Sequence, residues 1–325
     1  MTHVRKAALP LLVVALGAAL AACSRNEQAA DAAATPAAAP ETTQAAVPAS
    51  EDAHPFQIGT LQAAALRDGG MSVPNDNSVF GVGLTPDEVA GVLAAAGLET
   101  DQLHLSVQPL LVRDGERVYL FDTGAGGNMG DSAGKLGAAL QAAGVDPAQV
   151  TDVFISHAHG DHVGGLVDAA GALAFPNAAI HISQPEWEDL QAQASGEGAA
   201  MAGLVAAITP KVSTFAPDAE LVPGRVRSLS TPGHTPGHVA FRISAGEGET
   251  LLYVGDQVHH PVISVQRPQW TIRFDRDSAA GAAQRAKTLE AAADSGERLY
   301  SVHFPFPGLG RIERGSDGQL AWVAE

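Results

Sequence analysis

One short run constrains this chain more than anything else in it. The apolar segment Asp152-Val-Phe-Ile-Ser156 leads directly into His157-Ala-His159-Gly-Asp161-His162. Three imidazoles and a carboxylate fall within six residues, and the small Ala158 and Gly160 let the loop fold tightly. Nitrogen and oxygen donors of this kind suit zinc, and one compact loop can aim them at two adjacent ions. An ordinary solvated loop has no need of such a set. The chain holds a single cysteine against twelve histidines. It therefore has no internal disulfide and no thiolate site of two or more ligands, so any metal it holds is held by nitrogen and oxygen.

The 325 residues allow one large α/β domain or two small ones, and 46% hydrophobic with 17% charged residues is a globular balance. A net charge of −17 repels phosphate backbones, which argues against a nucleic-acid partner. Residues 1–22 read as an export signal: Arg5 and Lys6 precede an apolar run, Ala7 to Leu20, too short for a permanent membrane helix. Leu20-Ala-Ala-Cys23 resembles a bacterial lipobox, which implies lipidation of Cys23. Ser24 rather than Asp after it resembles Gram-negative lipoproteins of the outer membrane, facing the periplasm. Residues 23–53, rich in Ala, Pro, Thr and Gln, read as a flexible tether. The folded domain is expected over residues 54–325.

From His54 onward, short apolar runs alternate with Gly/Pro/Asp turns and helical stretches. Strands are expected at Arg117–Asp122, Asp152–Ser156, Ala178–Ile182, Val226–Leu229, Val239–Ile243, Leu251–Val254 and Leu299–Val302. Helices are expected at Ser132–Ala143, with Ser132 as N-cap, and at Ser278–Ala293. Interleaved strands and helices without an internal repeat predict a single mixed α/β domain.

Further motifs carry a family resemblance. Together with the histidine loop, Thr231-Pro-Gly-His234-Thr-Pro-Gly-His238, Leu252-Tyr-Val-Gly-Asp256 and His303 resemble the metallo-β-lactamase superfamily. The match is closest to the branch of methyl parathion hydrolase and quorum-quenching lactonases, through Phe121-Asp-Thr-Gly-Ala-Gly126, Leu173-Ala-Phe-Pro-Asn177 and His303-Phe-Pro-Phe-Pro-Gly-Leu-Gly310. The resemblance implies an αββα sandwich with two zinc ions, or other divalent metals, at one edge. His157, His159 and His234 would hold the first ion, Asp161, His162 and His303 the second, and Asp256 would bridge them. A hydroxide shared by two such ions attacks carbonyl or phosphorus centres. Asp161 or Asp256 manages the proton, a choice the sequence leaves open. Asp122 matches an aspartate that orients a ligand histidine.

His238 is read as structural. His259 and His260 border the pocket or lie in a solvated loop, and Phe80, Trp187 and His260 are candidates for the substrate-pocket wall. His54, His104 and His181 stand outside any motif. His159 replaces the glutamate of flavodiiron relatives, and Asp256 argues against β-lactam cleavage as the main activity. The stretch after His303 is too short for the helical domain of glyoxalase II-like thioesterases, and the charge is wrong for the nuclease branch. A lactone or ester is the expected substrate, with N-acyl-homoserine lactone first and phosphotriesters as a side activity. The alternatives are a β-lactam or thioester hydrolase and a non-catalytic metal- or ligand-binding lipoprotein. Membrane contact is expected only through the lipid anchor, and a homodimer stays open beside a monomer.

Overall fold

Side chains alternate along the strands so cleanly that each strand assigns its own two faces. In Arg117–Phe121, Tyr119 and Phe121 enter one hydrophobic cluster while Val118 and Leu120 enter another. In Asp152–Ile155, Phe154 points to the first cluster, and Val153 and Ile155 point to the second. Strands buried on both faces need layers on both sides.

The computed structural model describes residues 46–195, 201–246 and 248–325. The export signal (1–22), Cys23 and most of the 23–53 tether lie outside them. Strands β1 (Ala53–Ile58) and β2 (Leu61–Leu66) form a hairpin, and β3 (Gly69–Pro74) pairs with β4 (Gln102–Val107) as a separate ribbon. Strands β5 (Leu110–Asp114), β6 (Arg117–Phe121), β7 (Asp152–Ile155), β8 (Ala179–Ser183) and β9 (Val212–Phe215) complete a seven-stranded sheet of order β1-β2-β5-β6-β7-β8-β9. The second sheet has seven strands in sequential order: β10 (Glu220–Val222), β11 (Val226–Ser230), β12 (Val239–Ser244), β13 (Thr250–Tyr253), β14 (Arg298–Tyr300), β15 (Leu309–Arg314) and β16 (Leu320–Ala324).

The inner faces of the two sheets meet in one aromatic-rich core. Phe121 stacks on Phe154 at 5.1 Å and meets Phe241 of the opposite sheet at 5.5 Å. Helix α1 (Pro86–Ala95) packs on the β3–β4 ribbon. Helix α2 (Leu136–Ala142) covers the outer face of the first sheet, and the short α3 (Gly160–Val163) carries half of the histidine loop. Helices α4 (Gln184–Ala194) and α5 (Ala202–Ile208) complete that outer layer. The short α6 (Ile263–Gln266) precedes α7 (Ser278–Ser295), which lies on the outer face of the second sheet. The architecture is the αββα sandwich. The Asp277 side chain caps α7 at its start, and Gly296, at φ +65°, ends it in the left-handed region that glycine tolerates.

Two boundaries move from their expected places. The helix expected from Ser132 begins at Leu136, because Gly134 takes φ +89° and Ser132 Oγ donates to Met129 O rather than capping a helix. The Asp68 carboxylate instead accepts the N–H groups of Gly134 and Leu136. The packed chain also starts before His54: Val47 is buried in the core and Ala53 opens β1.

Strand direction places the site. β6, β7 and β8 are mutually parallel, as are β13 and β14, and β11 runs the same way because two antiparallel pairings separate it from β13. The carboxyl ends of β6 and β7 meet those of β11, β13 and β14 along a single edge, where His157 Nε2 lies 3.2 Å from His234 Nε2. Asp122, His157, His234, Asp256 and His303 all follow such ends.

Candidate active site

Four of the ligand histidines are each held by a hydrogen bond on the far side of the ring. Asp122, directly after β6, is fully buried and takes φ +57°, a conformation costing a non-glycine residue roughly 1 kcal/mol. Its carboxylate accepts from Ser156 N (2.8 Å), Ser156 Oγ (2.7 Å), Tyr253 Oη (2.7 Å) and His162 Nδ1 (2.8 Å). His157 Nδ1 faces Ser156 Oγ at 3.1 Å, His234 Nδ1 faces Asp275 Oδ1 at 3.2 Å, and His303 Nδ1 faces the Ser106 carbonyl at 2.7 Å. These partners fix Nδ1 of all four rings as the protonated nitrogen and leave Nε2 with a lone pair aimed inward. Behind His234, the buried Arg285 bonds Asp275 at 2.9 Å.

The lone pairs converge. His157 Nε2, His159 Nδ1 and His234 Nε2 lie 2.9–3.2 Å from one another. Asp256 Oδ2 stands 3.2 Å from His234 Nε2. Its other oxygen, Oδ1, lies 3.1 Å from His162 Nε2 and 3.0 Å from His303 Nε2. Asp161 Oδ2 is 3.6 Å from both of those nitrogens. Asp256 thus stands between His157/His159/His234 and Asp161/His162/His303. The donor atoms of the first group with Asp256, and those of the second, each lie within 4.8 Å of one another.

Electrostatics fits a cation at this place. Burial, together with neighbouring imidazoles, pushes His157 well below the usual histidine range and His159 down to about 4, so both favour the neutral form that ligates metal. Burial alone would raise Asp256, but His162, His303 and His157 around it hold its carboxyl well below the usual range. His162 Nε2 and Asp256 Oδ1 are buried without a hydrogen-bond partner. Burial alone would lower His162, His234 and His303, but without a cation the carboxylates around them raise their pKa values instead, holding protons where a cation would stand. Imidazoles and carboxylates converging in a buried site are a chemically suitable set for divalent ions such as zinc.

Supporting residues that the motifs do not announce join the loops. The buried Glu186 accepts from Ala158 N (2.7 Å), Thr235 Oγ1 (2.6 Å) and Gly237 N (3.0 Å), tying the two histidine loops together. Burial raises its pKa despite these bonds. Asp68 accepts from Ala125, Gly134 and Leu136 and fixes the loop beside α3. His238 is committed to structure: its Nδ1 meets Thr231 Oγ1 at 2.8 Å, and its Nε2 accepts from Asp256 N at 3.0 Å. A side chain at Gly255, φ +53°, would meet that ring at 2.7 Å, so only glycine lets the bond form.

A cavity of ≈ 400 Å³ opens over the cluster, lined by Met71, Leu105, His159, Gly160, Asp161, His234, Asp256, His259, Arg273, Phe274 and His303. The expected pocket wall is corrected here. Trp187 packs into the core under α4, because its helix turns that face onto the first sheet. Phe80 and His260 stand behind His259: Phe80 makes edge contacts to both rings, and His260 Nδ1 accepts from Val262 N and Ile263 N. The residues that do form the apolar wall, Met71, Leu105 and Phe274, lie in no motif. His259 and His260 are both buried rather than in a solvated loop. His104 pairs with Glu99 at the surface, His181 bonds Asp152 beneath the first sheet, and His54 is exposed beside Phe306.

Comparison with known proteins finds the family and the fold. Residues 105–303 match the family model of the metallo-beta-lactamase superfamily. The solved structure of AidC, a dizinc quorum-quenching lactonase in complex with a product, is 30% identical with a TM-score of 0.76, over 84% of this chain and 97% of that one. The hydrolase AbOPH, of the beta lactamase superfamily, is 27% identical with a TM-score of 0.75, over 87% and 98%. A probable metal-dependent hydrolase from Staphylococcus aureus, 20% identical with a TM-score of 0.67 over 83% and 99%, shares the fold. No curated protein matches the chain.

Proposed function

The chain belongs to the metallo-beta-lactamase superfamily as a metal-dependent hydrolase, and from that premise we propose that it opens lactones with two divalent ions, zinc by preference. N-acyl-homoserine lactones are the first substrate class, other esters the second, and phosphotriesters a side activity. One observation carries the reading: Asp256 presents one oxygen to His234 and the other to His162 and His303, as a carboxylate shared by two cations does. The likeness to AidC, which is described as a lactonase, supports the substrate class.

Bound ions of this kind supply a nucleophile from water at neutral pH and stabilise developing negative charge. The residues do the rest. Met71, Leu105 and Phe274 offer an apolar wall for an acyl chain and exclude water around it. The Asp256 side chain is only 5% exposed and is surrounded by imidazoles, whereas that of Asp161 is 18% exposed on the cavity floor. Asp161 is therefore the group that takes the proton from the nucleophile and returns it to the leaving oxygen. Arg273 stands at the mouth, where a guanidinium can bond an amide or carboxylate oxygen.

The sequence also supports export and a lipid anchor at Cys23, which Cys23→Ser tests by loss of membrane association. The substrate class is tested with purified protein of counted metal content against lactones, aryl esters, phosphotriesters and β-lactams. Ring opening is followed with a pH indicator and reversed by acid closure. Turnover of lactones above the other classes is expected. Absence of lactone and ester turnover by the metal-loaded protein would refute the reading.

A further inference from the structure

His259 sits among the ligand candidates without having been counted as one of them. It follows Asp256 by three residues, and its placement is built: the backbone N–H groups of His259 and His260 both donate to Ser264 Oγ at 3.1 Å. The ring is fully buried, lies parallel to His303 at 5.5 Å and 9°, and stands 5.2 Å from the ring of His234. Phe80 and Phe274 close its other sides. Nε2 reaches 3.2 Å from Asp256 Oδ2, yet neither ring nitrogen completes a hydrogen bond.

That condition is uncommon for a buried imidazole. Buried polar atoms in native proteins are nearly always paired, and an orphan calls for a partner such as an ion or water. Among the described residues, the histidine nitrogens buried without a partner are His162 Nε2 and the two of His259. Asp256 Oδ1 shares that condition. Two of these atoms already belong to the proposed metal ligands, so His259 carries the same mark as they do. Donor atoms of Asp256, His259 and His303 also lie within 4.8 Å of one another.

We propose that His259 is an eighth metal-facing residue, supplying a nitrogen donor beside Asp256 Oδ2, between the rings of His234 and His303. The inference rests on the two-ion reading above. It makes the centre richer in imidazole than the other candidate ligands alone, which favours zinc or cobalt over magnesium or calcium.

The test is cobalt titration of the chelator-treated full chain, followed by visible absorption, for the wild type, His259→Leu and His259→Gln. The wild type is expected to take up two equivalents. His259→Leu should lose about 10- to 100-fold in affinity for one ion, with a changed spectrum. His259→Gln keeps a polar side chain in the cavity and folds where leucine fails to; its spectrum should change because an amide oxygen replaces an imidazole nitrogen. Thermal melting of the metal-free proteins identifies any variant that has not folded. Folded variants with wild-type affinity and spectrum overturn the inference alone, and weaker binding with an unaltered spectrum overturns ligation by His259. A wild type that binds no cobalt overturns the two-ion reading and this inference with it.

Discussion

The hydroxyl of Tyr253, on β13 of the second sheet, donates at 2.7 Å to the carboxylate of Asp122, at the end of β6 in the first. The bond crosses the sandwich directly beneath His162, which the same carboxylate oxygen orients. Burial, reinforced by the nearby carboxylate, drives the Tyr253 hydroxyl well above the usual tyrosine range, so it remains a donor at any working pH. Tyr253→Phe removes that donor and leaves the ring packing in place. We expect a loss of about 1–3 kcal/mol in stability and roughly 10-fold weaker binding of one metal ion. Denaturant titration and metal competition measure the two effects. Unchanged metal binding would show that Ser156 holds Asp122 alone.

Glu186 makes a sharper prediction, because all three of its partners donate hydrogen to it. His157 and His159 flank one of those partners, Ala158, and His234 immediately precedes another, Thr235. Glu186→Gln is nearly isosteric but turns an amide NH₂ toward donors. It should be almost as damaging as Glu186→Ala, with each losing about 3 kcal/mol and most of the turnover. Near-wild-type stability of the Gln variant, measured by thermal melting, would contradict this role.

Removing metal should weaken the fold as well as the chemistry. Without cations the converging imidazole lone pairs repel one another and buried donors stay unpaired. Metal at about 100 times its dissociation constant adds roughly 2.7 kcal/mol of stability. Chelator-treated protein should therefore melt several degrees lower, and zinc should restore it. A melting temperature indifferent to chelator and zinc would mean that the cluster is held together by protein contacts alone.

The ligand candidates are legible because their signals are local: four stand in six consecutive residues, His234 and Asp256 each follow a glycine just past a short strand, and His303 ends the apolar run Leu299–Val302. Supporting residues are not. Glu186 meets partners 28 to 51 positions away, and Asp68 fixes a loop 57 to 68 positions away, so no short pattern announces either. Trp187 was misassigned because an aromatic near a site in sequence faces wherever its helix packs, here the core. The helix expected from Ser132 started late because a remote carboxylate and a left-handed glycine, rather than the local serine, set its first turn. His259 resembles a loop residue until the turn through Ser264 folds it inward.

Acid stability should report on Asp152, well away from the metal cluster. Burial alone would raise its carboxyl, but bonds from His181, Thr151 and Arg117 hold it at about 2. A depressed folded-state pKa contributes stability that is fully present above the unfolded value near 4 and is lost as pH falls toward 2. Discounted for partial solvent access, the contribution is about 1–2 kcal/mol. Denaturant midpoints of the wild type and Asp152→Asn should therefore differ above pH 4 and converge toward pH 2. A constant difference across that range would assign the effect to packing instead.

Substrate recognition at the cavity mouth turns on Arg273. Its side chain is exposed, lines the cavity beside Phe274, and among the described residues has no hydrogen-bonded or ionic partner. In a chain of net charge −17, a lone guanidinium at the entrance is the group that can meet a substrate's amide or carboxylate oxygen. A charge-assisted bond made equally in the ground and transition states appears in KM rather than in kcat. Arg273→Met should thus raise KM for N-acyl-homoserine lactones by roughly 10-fold and leave kcat nearly unchanged. A simple γ-lactone without the amide should show no such rise. Equal effects on both substrates would remove Arg273 from recognition of the acyl amide.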